Sequence, residues 1–193
     1  MPYLFPILLG ISLGASTGLH TTLPLLLVAA AAHFNIGNFA MRGDFAWLSS
    51  DTALIILLIA AIVETIADKV PAVDHVLDVI GTVARPLAAT LSAAAVFNHG
   101  DRVTAAVVGL IIAAPAAFGV HAAKAGVRVG SSAMTFGCAN PFISVIEDVI
   151  AALLSIVAIF APLIALVLLI LLAWTATAIL RRRSTPKHLS SGG

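Results

Sequence analysis

Four of the chain's nine carboxylates, Glu64, Asp68, Asp74 and Asp78, fall within one short stretch, VETIADKVPAVDHVLD, that directly follows an apolar run. Glu64 and Asp68 are four residues apart, as are Asp74 and Asp78, so in a helix each pair shares a face. A second acidic pair, Glu147-Asp148, stands in an otherwise apolar segment. Converging carboxylates offer two kinds of chemistry: they supply the hard oxygen ligands that magnesium, calcium or manganese prefer, or they relay protons. Against the bases nearby in sequence, Lys69, Arg85, Lys124 and Arg128, the six acids leave a net charge of −2. One divalent cation, or two protons, would neutralise it. Glu64, Asp68, Glu147 and Asp148 are therefore the candidate metal ligands, and Asp74 and Asp78 extend the candidate ion-binding or proton-relay set. The competing reading makes Lys69, Lys124 and Arg128 the charge partners of the acids, in buried ion pairs that specify helix packing.

The elements that must position these groups follow from composition. With 61% hydrophobic residues, 10% charged residues and a mean hydropathy of +1.11, the chain reads as an all-α integral membrane protein. Its 193 residues leave room for about six spans of roughly 20 residues, residues 1–180 forming one transmembrane domain and 181–193 a polar basic tail. A single cysteine, Cys138, excludes an internal disulfide or a CxxC pair, and a net charge of +1 argues against nucleic acid as a partner. The apolar N-terminus lacks the basic region of a signal peptide, so it reads as a retained first span.

The first apolar segment, about Tyr3 to Ala32, is interrupted by glycines, Pro24 and the polar run His20-Thr21-Thr22, which predicts a kinked or unwound helix. Phe45 and Trp47 in the following loop suit the headgroup interface. Ser50 or Asp51 caps a second helix that ends at Pro71. A third element, Val73–Phe97, is amphipathic in its first half. A fourth runs from Arg102 to about Val127, and Asn140-Pro141 has the form of an N-cap with proline at the first helical position. Residues 141–180 would make roughly 60 Å of helix, twice a bilayer core, so Pro162 is read as a turn between two spans. Gly14, Gly18, Gly119 and Gly126 are expected to permit close helix approach.

TGLH at Thr17–His20 is echoed by FGVH at Phe118–His121, which suggests two inverted three-helix repeats, residues 1–97 and 102–180, with broken helices. In that arrangement Glu64 and Asp68 face Glu147 and Asp148 across antiparallel helices two and five. Depths from the helix ends, roughly 8 Å and 10 Å, match.

The run ADKVPAVD, Ala67–Asp74, and the patterns H-x-x-K-A-G-x-R at His121–Arg128 and N-P-x-x-S-x-x-E-D at Asn140–Asp148 are fairly specific. On these motifs the chain resembles a family of bacterial multi-helix membrane proteins that is defined as a domain of unknown function, over roughly Gly10 to Pro162. The resemblance implies a small multi-helix membrane fold and transfers no activity. A looser similarity links Glu64–Lys69 to the Glu-x-Gly-Asp-Lys-Ser/Thr repeat of cation/proton exchangers, but this chain has an extra residue there and lacks the glycine.

An ionisable group inside a bilayer costs about 2.5 to 3.5 kcal/mol even on a lenient scale, so the acids point to function. The leading expectation is a cation or proton-coupled transporter or channel in the cell (inner) membrane, multi-pass, with both termini cytoplasmic because Lys69, Lys124, Arg128 and Arg181–Arg183 then lie inside. Its partners would be the lipid bilayer and an inorganic cation or proton, and a homo-oligomer stays open. The alternatives are a structural or accessory subunit, and a metal-dependent intramembrane lipid enzyme, which no HExxH or nucleophile–base spacing supports. His20, His121 and Asn140 are pathway or helix-packing candidates, interhelical hydrogen bonding being the simpler role for the histidines.

Overall fold

The computed structural model describes residues 3–36, 39, 41, 43–97 and 99–183, with the side chains of 71, 72, 74, 75 and 176–183 outside the described set. The described elements follow in order: α1 (Leu4–Leu19), α2 (Leu23–His33), a 3-10 helix (Gly43–Ser49), α3 (Asp51–Ala67), α4 (Pro71–Val96), α5 (Arg102–Thr135), α6 (Asn140–Phe160) and α7 (Pro162–Arg183). No strand occurs among the described residues.

Local chemistry sets most of these limits. Ser50 caps α3 by accepting from the Ala53 amide at 3.2 Å, and Asp101 caps α5 by accepting from Thr104 at 2.7 Å. Pro71 opens α4 instead of merely ending the segment before it. Pro162 opens α7 after a one-residue break at Ala161. Two expectations are corrected. The fourth helix does not stop near Val127 but continues to Thr135, and Asn140 does not cap α6: it is the first helical residue, and its side chain donates to Ser132 Oγ at 2.9 Å.

The surface and the interior are reversed relative to a water-soluble domain. Rows of large apolar side chains face outward, among them Ile55, Ile56, Ile59, Val79, Val83, Ile111 and Leu153, while Ser12, Ser16, His20, Asp68, Arg85, Lys124 and Arg128 are buried. Only a lipid environment makes such an outer face favourable. Among the described residues three helices are long and apolar enough to cross a membrane, Val76–Val96, Arg102–Thr135 and Asn140–Phe160, or four if the 3-10 helix and α3, bent by 61°, count as one span. This is fewer than the six read from hydropathy, because α1, α2 and the fully described part of α7, Pro162–Thr175, are shorter apolar stretches.

The centre of the bundle is α1, which packs on α5, α4, α6 and α7, with α4 and α5 paired beside it. Small residues make this approach possible. A Cβ at Gly14 would stand 2.6 Å from the Ala113 carbonyl oxygen, and one at Gly18 would stand 2.5 Å from that of Ala117. On its other face α1 is bonded to the last two helices: Ser16 Oγ donates to the Ala151 carbonyl at 2.7 Å, and Ser12 Oγ to that of Pro162 at 3.3 Å. Gly119 and Gly126, in contrast, meet nothing within 4 Å, so the expectation of close packing fails there. The echo between the two halves also stops short: α5 runs unbroken through His121, whereas the first helical pair breaks at His20.

Gly14→Ala and Gly18→Ala push a methyl into backbone and should each cost about 1–3 kcal/mol. Gly119→Ala and Gly126→Ala should leave the melting temperature in detergent unchanged or raised. Equal losses at all four positions would contradict the packing described.

Candidate functional site

The break between α1 and α2 exposes backbone groups of both signs. At the start of α2, the Thr21 and Thr22 amides donate to Glu64 Oε1 and Oε2 at 2.7 and 3.0 Å, and the Thr22 hydroxyl adds a bond of 2.9 Å to Oε2. An anion at a helix N-terminus is held by the unsatisfied amides and the helix dipole together. At the end of α1 the pattern is reversed: the Leu19 carbonyl accepts from Lys124 Nζ at 2.9 Å and the Gly18 carbonyl from Arg85 Nη1 at 3.2 Å. The Thr21 and Thr22 amides and the Gly18 and Leu19 carbonyls are thus each met by a side chain of matching sign.

Lys124 is the hub of the cluster. Its Nζ lies 3.1 Å from Asp68 Oδ2 and 3.2 Å from Glu147 Oε2, with the lysine side chain fully buried. Arg128, one turn along α5, donates to Glu147 Oε2 at 2.8 Å and lies 3.6 Å from Asp68 Oδ2. Lys69, at the rim, bonds Asp148 Oδ2 at 3.2 Å and the Thr65 carbonyl at 2.7 Å.

His20 joins two parts of this network. Its Nδ1 is 3.1 Å from Glu64 Oε2 and 3.3 Å from the Leu23 amide, which donates to it. Its Nε2 is 3.1 Å from Thr65 Oγ1 and 3.8 Å from Asp148 Oδ1. A fourth cation completes the set: Arg85 contacts His121 Nδ1, Thr21 Oγ1 at 3.4 Å and Asp78 Oδ1 at 3.7 Å. His121 Nε2 faces Thr82 Oγ1 at 3.4 Å.

The structure therefore brings Glu64, Asp68, Glu147, Asp148, Asp78, His20, His121, Lys69, Lys124 and Arg128 into one connected network. Asn140 stands beside it, in an open cavity of about 590 Å³ that it lines with Asp78, Thr82, His121 and Arg128. The side chain of Asp74 lies outside the described residues. Glu64 and Asp68 do not face Glu147 and Asp148 directly across two helices, because α3 packs chiefly on α2 and the 3-10 helix and the side chains of α5 fill the space between. The same cations keep the four carboxylates named as candidate metal ligands from closing on one another. No group of three or more His, Cys, Asp or Glu among the described residues is arranged to hold a metal. A divalent ion between Asp68 and Glu147 would have to displace an ammonium and a guanidinium.

Charge in the network nearly balances. Among the described side chains, Glu64, Asp68, Asp78, Glu147 and Asp148 meet Lys69, Arg85, Lys124 and Arg128, so one proton makes the set neutral. Asp68 Oδ1 and Ser144 Oγ are buried and meet no hydrogen-bond partner among the described residues. Sequence reasoning saw Thr21 and Thr22 only as part of the helix interruption, placed no role on Thr65, and left Arg85 unplaced. The signal that could have found Arg85 is Gly81, one turn earlier on α4, where a Cβ would stand 3.1 Å from Arg85 Nε.

Lys124→Met leaves Asp68 and Glu147 short of one cation and should destabilise the protein by about 3–5 kcal/mol, the range for breaking one side of a buried pair. Adding Asp68→Asn should recover much of that loss in thermal unfolding. Additive losses in the double variant would show that the two groups are not coupled.

No curated protein and no solved structure is significantly similar to the chain. One family profile matches it across residues 7–182, covering all the helices that carry the network. The chain belongs to the family described as Domain of unknown function (DUF4126).

Proposed function

We propose that this protein is a proton-coupled membrane transporter or channel, in which His20 carries a proton between Glu64 and Asp148. The observation that supports it most is the buried His20 ring, whose two nitrogens reach the two carboxylates at 3.1 and 3.8 Å at the break of a helix pair. Neutral His20 gives its Nδ1 lone pair to the Leu23 amide. Protonated His20 instead donates toward Glu64 from Nδ1 and toward Thr65 or Asp148 from Nε2. The ring thus has two bonding arrangements that differ by one proton, which is also the charge the described network lacks. Asp68 Oδ1, buried and unpartnered, is a second place where a proton relieves an unsatisfied group. Broken helices with charged groups at their ends are a recurring way to build such sites within a membrane. The geometry favours a proton over a metal ion, since each of these carboxylates already has an oxygen engaged by a cation or by amides.

The same reading places the chain in the cell membrane as a multi-pass protein with both termini cytoplasmic. Six segments fit it: α1–α2 as one broken span, the 3-10 helix with α3 as another, and α4, α5, α6 and α7.

A second reading, an accessory subunit whose charges serve assembly, is favoured by the cation within 4 Å of each of Asp68, Asp78, Glu147 and Asp148. Proteoliposomes separate the two. Wild type should carry protons down an imposed pH gradient, or move a cation from a mono- and divalent panel against one. His20→Gln should lower that flux by roughly 100-fold, the lower end of what a positioned proton carrier contributes, and Glu64→Gln should do likewise with the fold intact. Absence of flux from wild type, together with unfolding of Glu64→Gln, would leave the assembly reading in its place.

A further inference from the structure

The cavity between the first half of α4 and the second half of α5 is lined by Asp78, Thr82, His121, Arg128, Ser132 and Asn140 among other residues. It reaches the charge network at Asp78, His121 and Arg128, and His121, otherwise buried, contacts Arg85 behind it. We infer that this cavity is the proton access port of the network and that His121 is its acceptor, protonation of which releases Arg85 from the α1–α2 break. The inference rests on the proton-coupled reading above and names the group that couples the proton to the backbone.

The bonding around the ring carries the argument. Arginine keeps its protons at any pH a protein meets, so in the Arg85–His121 contact the guanidinium donates and Nδ1 accepts. Nε2 then holds the ring hydrogen and donates to Thr82 Oγ1, whose own hydroxyl donates to the Asp78 carbonyl at 3.1 Å. His121 is neutral in this arrangement, and a second proton can land only on Nδ1, where Arg85 sits. A hydronium in the cavity that gives its proton to Nδ1 leaves water behind and places two cations in contact, so the guanidinium must move. Asp78 Oδ1, 3.7 Å from Arg85 Nη2, is the anion it can move toward. The charged groups around the ring are Arg85 and Asp78 from α4 and Lys124 from α5, and α1 meets it through the Gly18 carbonyl that shares Arg85.

Moving Arg85 removes its bonds to the Gly18 carbonyl and the Thr21 hydroxyl. These lie on the two sides of His20. A proton arriving at His121 thereby loosens the backbone that positions the His20–Glu64 contact. Gly81 lets the guanidinium lie directly against α4, where a Cβ would stand 3.1 Å from Nε.

Hydrogen–deuterium exchange of the purified protein in detergent tests this without any flux measurement. After correction for intrinsic exchange, protection of residues 18–23 should fall roughly tenfold per pH unit between about pH 6.5, the ordinary histidine value that the ring regains once Arg85 has moved away, and about pH 5, and His121→Gln should abolish that dependence. Imidazole nitrogen NMR of the wild type, which needs no variant to fold, should show Nε2–H neutral His121 at the upper end and a doubly protonated ring where protection is lost. A ring that stays neutral while the segment opens, protection that does not change with pH, or the same pH dependence in His121→Gln would overturn the inference. If the switch operates but proteoliposomes carry no protons, the transport reading fails and the switch stands. Flux with pH-independent protection leaves transport standing and removes His121 as the acceptor.

Discussion

A buried ammonium and the two carboxylates it serves organise this molecule. Lys124 Nζ sits between Asp68 and Glu147 where neither the lysine nor the aspartate side chain has more than a trace of exposure. Leaving any of the three alone in a lipid environment would cost several kcal/mol, so the helices that carry them cannot drift apart independently. Because the third bond of the ammonium goes to the carbonyl of Leu19, the end of α1 is drawn into the same contact. Four segments, α1, α3, α5 and α6, therefore have their relative rotation and depth set around one atom.

The break between α1 and α2 follows from that constraint. Continuous helix through residues 20–22 would consume the amides that hold Glu64 and the carbonyls that accept from Lys124 and Arg85. In a bilayer an interrupted helix is tolerated only where its freed groups are satisfied by protein. Here each end of the interruption meets the sign its dipole favours, an anion at the start of α2 and cations at the end of α1. The break is stable as a polar site, and its polar residues are held there because the backbone needs them.

Beyond the network the packing changes character. Gly10, Gly14 and Gly18 on α1 meet Ala93, Ala113 and the Ala117 backbone, and α6 is tied to α1 through Ser16 and Ser155. These contacts are close and short-ranged, and they gain by dispersion and hydrogen bonding where no hydrophobic drive operates between helices. Charge thus specifies one half of the bundle and small-residue fit specifies the other. The apolar side chains that would form the core of a soluble protein are left to face lipid.

The residue types alone determined the class of protein and much of its segmentation. Uncharged apolar runs of this length point to a membrane, and Ser50 and Pro162 act on backbone within a few residues of themselves, so their effects were legible locally. The polar interruption at His20–Thr22 and the acids of the central stretch were visible for the same reason. Which groups meet was decided by tertiary structure. Arg85 and His121 are 36 positions apart, Lys124 and Asp68 56, and Lys69 and Asp148 79. A helical side chain turns about 100° with each residue, so a contact between helices depends on rotation and depth that no short stretch encodes. Spacing suggested carboxylates converging on a metal. The folded chain instead sends two long cations of α5 into that space, because only their reach and the small residues of α1 let an ammonium and a guanidinium arrive there together.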